Sequence, residues 1–171
     1  MPGRMPRRWA SGPFLRASTA IGQGELLASP LNMALVAATV VNHGDLPRPH
    51  LIRAIRAPSG SLLHGEPSGA WLAGAMSPPV ADQVRAMMLD VVQEGTGVQA
   101  AVPGLTVGGK TGTAQVSGAA APHAWFIGFA QQDQRAIAIA VIVENGGEGS
   151  EVAAPIFAEV ARAAAGYVKG E

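Results

Sequence analysis

Four consecutive residues, Lys110-Thr111-Gly112-Thr113, offer most of the chemistry in this sequence, and their surroundings leave two ways to use it. Gly104, four residues, then Gly109-Lys110-Thr111 fits the phosphate-loop spacing G-x-x-x-x-G-K-[ST], in which glycine amides and the lysine cradle the phosphates of a nucleotide. On an extended strand beside a cleft, the same residues would instead set a lysine ammonium next to two threonine hydroxyls that share one face. Those are parts suited to acyl transfer.

Context separates the two. A phosphate loop needs a buried strand before the glycines and a helix opening at Lys-Thr, so that helix amides aim at the phosphates. Here "GVQAAVP" precedes Gly104 and is a poor core strand, while Gly112 and "TAQVSG" follow Lys110-Thr111 and cannot open a good helix. "LTVGGKTGTAQV" carries β-branched residues at Thr106, Val107, Thr111, Thr113 and Val116 with no helical period, which predicts a strand. Glu144 at the end of an apolar run would suit a metal-holding acidic strand end, and equally a core strand reaching solvent. Nucleotide binding stays as the weaker alternative.

The elements that must position this stretch are legible. "SPLNMALVAATVVNHG" predicts a helix capped by Ser29, with Pro30 in its first turn and Gly44 closing it. Its apolar residues point nearly all round, which predicts a helix covered on every side. "LPRPHLIRAI" reads as extended, and "APSGSLLHGEPSGAW" as a loop or short hairpin. A second helix starts at Ser77-Pro78-Pro79 and stops at Gly95, with Val80, Val84, Met87, Met88, Val91 and Val92 as its apolar stripe. "AWFIGFA" and "RAIAIAVIVEN", separated by Gln131 to Gln134, predict an antiparallel hairpin. After "NGGEGS" comes a closing helix with Ile156, Phe157, Val160, Ala164 and Val168 inward. The fold class expected is α/β (α+β), an antiparallel sheet flanked by helices.

Composition narrows the function. Of 171 residues, 48% are hydrophobic and 14% charged, enough apolar material for a core; Lys plus Arg and Asp plus Glu both number 12. No basic footprint argues for nucleic acid. There is no cysteine, hence no disulfide or thiolate site, and His43, His50, His64 and His123 lack ligand-like spacing, so neither metal nor cofactor is expected. No apolar run approaches the ~20 residues that span a bilayer. Arg4, Arg7 and Arg8 give residues 1–17 the look of a basic leader, disordered or foreign to the domain proper, with 18–168 forming the domain and 169–171 a tail.

Taken together, "AIGQGELLASPLNMALVAATVVNHG", "RPHLI", "MMLDVVQEGTG", "VGGKTGTAQ", "HAWFIGFA" and "AIAIAVIVEN", in that order, resemble the C-terminal part of the transpeptidase domain of class B bacterial penicillin-binding proteins. The resemblance runs from about residue 18 to 165, and "AAPIFAEV" fits it too. It implies a substrate peptide ending in D-Ala-D-Ala, or a β-lactam, lying along the Lys-Thr-Gly strand as an added strand. Lys110 would support proton transfer near the nucleophile. Thr111 and Thr113 would offer hydroxyls to the ligand carboxylate, Gly112 would leave room for its approach, and the Thr113 amide would be one oxyanion donor. Gln23 between two glycines is expected to serve packing, "EGTG" to end the second helix, and residues 116–122 to border the cleft mouth.

The same resemblance shows what the sequence lacks. Family chemistry starts from a serine in Ser-x-x-Lys, but the two lysines here, Lys110 and Lys169, follow Val107 and Gly166 at that spacing. Ser-x-Asn is absent as well: Pro30, Val40 and Val143 stand two residues before the three asparagines. The simplest expectation is a truncated or split chain, inactive alone, whose partner is a missing N-terminal half. The family's place outside the cytoplasmic membrane would depend on a segment not in this sequence. A non-catalytic module that binds cell-wall peptides or a protein is the alternative from a different class.

Overall fold

The computed structural model describes residues 12–23, 26–65, 67, 69–116 and 118–166. Val168, Lys169, the tail and most of the basic leader lie outside the described residues. Helix α1 (Pro13–Ala20) takes in the last part of the stretch read as leader.

Helix α2 (Pro30–Val41) begins as the sequence predicts, with Pro30 in the first turn, and adds a reciprocal cap. The Ser29 hydroxyl accepts from the Asn32 amide, and Asn32 Oδ1 accepts from the Ser29 amide, at 3.2 and 3.1 Å. Asparagine plays the part that glutamate or glutamine usually takes in such a box. Past the helix, the Gly44 amide donates to the Thr39 carbonyl with Gly44 at φ 96°. Gly44 also sits where a Cβ would collide with the Met76 backbone. The expected full burial of α2 does not hold: Ala37, Thr39 and Val40 are buried, but Leu31 and Val36 are about half exposed. Among the described residues, no element covers that side.

Strands β1 (Ala54–Arg56) and β2 (Leu62–Gly65) form a small exposed hairpin. Helix α3 (Pro78–Gln93) has the predicted bounds but buries a narrower stripe of Ala81, Met88 and Val92. Val80 and Met87, expected inward, face out. A short 3₁₀ turn (Val98–Ala100) then leads to the main sheet.

Among the described residues, that sheet has three antiparallel strands in the order β3 (Thr106–Ala114), β4 (His123–Gln132) and β5 (Arg135–Val143), so β3 is an edge there. The β4–β5 turn is tighter than the sequence suggested, two residues rather than four, with Asp133 at φ 53°. Register puts Thr111 opposite Phe126, Gly109 opposite Gly128, and Lys110 opposite Ile127. Alternation divides the side chains between two faces. Val107, Thr111, Thr113 and Phe126 lie on the face covered by a π-helical turn (Gly149–Ala153) and helix α4 (Ala154–Ala163), where Phe157 meets Phe126 with ring centroids 4.8 Å apart. Lys110, Ile127 and Phe129 lie on the opposite face, under α2 and α3, where Val40, Met88 and Phe129 form a second, smaller core.

The α4 stripe also differs from expectation. Ala154, Phe157, Ala158 and Ala161 are buried, whereas Ile156 and Val160 are partly exposed. A π-helical turn (Gly149–Ala153) leads into α4, and three of the four buried residues of α4 are alanines.

Candidate active-site wall

Lys110, Thr111, Gly112 and Thr113 all fall within β3, in mid-strand. No helix opens after Lys110, and Gly104 stands in a separate turn at φ 82°. The phosphate-loop alternative therefore fails on geometry. The glycines before the lysine have a packing reason instead: a Cβ on Gly108 would stand 2.5 Å from the Phe129 ring, and one on Gly109 would press into the Phe126 ring. Two large rings of β4, one on each face, fold over the β3 backbone and demand glycine beneath them, Phe129 at Gly108 and Phe126 at Gly109.

Beside the strand lies a cleft of about 470 Å³. Residues 21–23 and 26–28 form one side of it, and Lys110 to Val116 the other, with His123 and Trp125 among its further lining residues. Of residues 116–122, expected at the cleft mouth, Val116 is among the lining residues. Lys110 also borders a second, apolar groove of about 330 Å³ made by Val36, Val40, Met87, Met88 and Val91 of α2 and α3 together with Ile127. The lysine stands between the two. Its Nζ folds back and donates to the Thr111 carbonyl at 2.6 Å.

Both threonine hydroxyls have partners on this chain. Thr111 Oγ1 lies 2.8 Å from Thr96 Oγ1, and Thr113 Oγ1 donates to Glu148 Oε2 at 2.8 Å. The outer edge of β3 is met by Gln23, whose Nε2 donates to the Thr113 carbonyl at 3.0 Å and whose Oε1 accepts from the Gln115 amide at 3.3 Å. A residue in a strand turns its N–H and C=O to the same side, so the Thr113 amide lies on this outer edge too.

Three of these partners were not read as site residues from the sequence. Gln23 stands in "IGQG" and Thr96 in "EGTG", each a polar side chain between glycines. The glycines signalled a turn, and they do serve it: the Gly95 and Gly97 amides close α3 on Asp90 and Val91. What the turn delivers to β3 carried no local signal. Glu148 sits in "NGGEGS", another glycine-rich turn without such a signal. His123 accepts the Asn145 amide on Nδ1 at 2.9 Å and helps fasten that turn.

These features match a known class. The description "Penicillin binding protein transpeptidase domain" fits residues 1–162. The chain is 35% identical to peptidoglycan D,D-transpeptidase MrdA of Acinetobacter baumannii over 88% of its own length and 24% of that protein's. It is also 35% identical to peptidoglycan D,D-transpeptidase PbpA of Mycobacterium tuberculosis, over 85% of this chain and 31% of the relative. Among solved structures, penicillin-binding protein A of M. tuberculosis, as its ceftriaxone acyl-enzyme complex, superposes with a TM-score of 0.78 at 33% identity, covering 90% of this chain and 37% of that one. Apo penicillin-binding protein 3 of the same organism gives 0.79 at 31% identity, over 94% and 40%. This chain belongs to the penicillin-binding protein transpeptidase domain family. It spans about a quarter to a third of the length of the two curated relatives.

Proposed function

We propose that this chain supplies the Lys-Thr-Gly-Thr wall of a peptidoglycan D,D-transpeptidase site and that the nucleophilic serine comes from polypeptide outside this sequence. The observation that carries the reading is the placement of Lys110 to Thr113 on an edge strand beside a cleft, with the lysine on one face and both hydroxyls on the other. An edge strand has backbone donors and acceptors to lend, so a peptide ending in D-Ala-D-Ala, or a β-lactam, can lie along it. In this reading Lys110 supports proton movement at the serine. Thr111 and Thr113 take the ligand carboxylate, Gly112 leaves the approach open, and the Thr113 amide stabilises the oxyanion.

The partner that completes the site is the remainder of a transpeptidase domain. Supporting this, the apolar groove next to Lys110 and the half-exposed Leu31, Val36, Val80 and Met87 form the kind of surface that a second apolar element covers. The family reading supports a working protein outside the cytoplasmic membrane. Among the described residues, no helix is long and apolar enough to cross a membrane.

The test is gel labelling with a fluorescent penicillin, on this chain alone and on this chain co-expressed with the N-terminal half of a related enzyme. No label on the chain alone, and label on the other half in the mixture, is the expected result. Label on the isolated chain would overturn the reading, because it requires a nucleophile that neither Ser-x-x-Lys nor Ser-x-Asn supplies here.

A further inference from the structure

Glu148 is not held at Thr113 by chance contact. The turn that carries it is tied down at several points. The Asn145 amide donates to His123 Nδ1 at 2.9 Å, the Gly147 amide donates to the Pro122 carbonyl at 3.0 Å, and the Glu148 carbonyl accepts from the Glu151 and Val152 amides. Next to it, Gly149 is buried against the strands so closely that a Cβ would stand 2.3 Å from the Trp125 carbonyl oxygen and 2.5 Å from that of Gly112. Only glycine lets the backbone lie on Gly112. The adjoining carboxylate is thereby set down one residue along β3, where Thr113 Oγ1 donates to it at 2.8 Å.

A threonine hydroxyl has a single proton to give, and a carboxylate can only accept. While Thr113 donates to Glu148, it cannot donate to a ligand carboxylate. The Glu148 charge also opposes a second anion brought to the same place. We infer that Glu148 occupies, from within the chain, the carboxylate position of the wall, so that a ligand carboxylate reaches Thr113 only in exchange for it. The inference rests on the function proposed above. Within it, Glu148 is a positioning residue: it acts through the Thr113 hydroxyl, and a ligand gains that hydroxyl only by displacing it.

The experiment titrates the full chain and its Glu148→Gln variant with N-acetyl-D-alanyl-D-alanine and with the corresponding C-terminal amide, followed through the backbone amide signals of Lys110 to Gln115. Glu148 is exposed, so the variant keeps the fold, and unchanged amide spectra away from β3 verify this. The expected result is a Kd for the acid lowered about 10-fold in Glu148→Gln, the loss of one charge-assisted hydrogen bond's worth of competition, with the Kd for the amide unchanged. Acid binding that is equal or weaker in Glu148→Gln overturns the inference and leaves the proposed function standing. A tightening shared equally by acid and amide also overturns it, because it marks a general change of the cleft. Absence of acid binding at β3 in both chains removes the carboxylate role of the threonines, and the inference falls with it.

Discussion

The Gln23 carboxamide and the Thr113 backbone are paired as two strands would be: Nε2 donates to the Thr113 carbonyl at 3.0 Å while Oε1 accepts from the Gln115 amide at 3.3 Å. One side chain stands in for the peptide of a neighbouring strand, on the edge of β3 that β4 leaves unpaired. It also marks the end of the edge available to a ligand, since an added peptide that runs past Thr113 must displace it.

Gln23→Ala should therefore loosen that end of the strand. The Gln115 amide is expected to exchange with solvent faster than in the parent chain, and the fold to lose about 1–2 kcal/mol, the scale of a pair of hydrogen bonds in a partly buried place. Hydrogen exchange read residue by residue, together with urea unfolding, checks both. An unchanged exchange rate at Gln115 would show that the bracket does not persist in solution.

Lys110 separates stability from chemistry. Its side chain is exposed, so Lys110→Ala is expected to alter stability by no more than about 0.5 kcal/mol. In the chain reconstituted with an N-terminal half, penicillin labelling should slow at least ~100-fold, the lower end of what a positioned proton-transfer group contributes. Labelling of the reconstituted variant at the parental rate would remove Lys110 from the reaction.

The two glycines on either side of Lys110 should behave differently. At Gly109 a Cβ meets the buried Phe126 ring and the Ile127 carbonyl, so Gly109→Ala should cost about 1–3 kcal/mol by overpacking. At Gly112 the nearest atom is the Trp125 Cβ at 3.2 Å, with little else around it. Gly112→Ala should cost less stability and act instead on ligand approach. Equal losses of stability at the two positions, measured by denaturant unfolding, would contradict the packing described here.

Phe157 tests the coupling of α4 to the sheet. It is fully buried and tilted against Phe126, on the face that holds Thr111 and Thr113. Phe157→Ala is expected to cost about 3–5 kcal/mol, and Ser29→Ala, which removes the cap of α2, only about 1 kcal/mol. Reversal of that order in thermal or urea unfolding would show that the core lies elsewhere.

What the sequence determined by itself is the local part. The strand through Lys110, the hairpin after it, the starts of α2 and α3 and the absence of Ser-x-x-Lys are all set by residue type and short-range spacing. Backbone dihedral preferences, caps and the periods of 2 and 3.6 operate within a few residues. Even the rejection of the phosphate loop was local, since Gly112 and the residues after it could not start a helix. Tertiary structure decided which side chains meet β3. Gln23, Thr96 and Glu148 reach Thr113, Thr111 and Thr113 across 90, 15 and 35 residues of sequence, and no period links such positions. Glycine-rich turns bring them there, and a turn's composition says that the chain reverses, not where its polar residue will point. Burial was likewise decided by neighbours. The apolar stripes of α2, α3 and α4 were wider in sequence than the faces they bury, because an apolar side chain is covered only where another element packs against it. On the side of α2 that carries Leu31 and Val36, none among the described residues does.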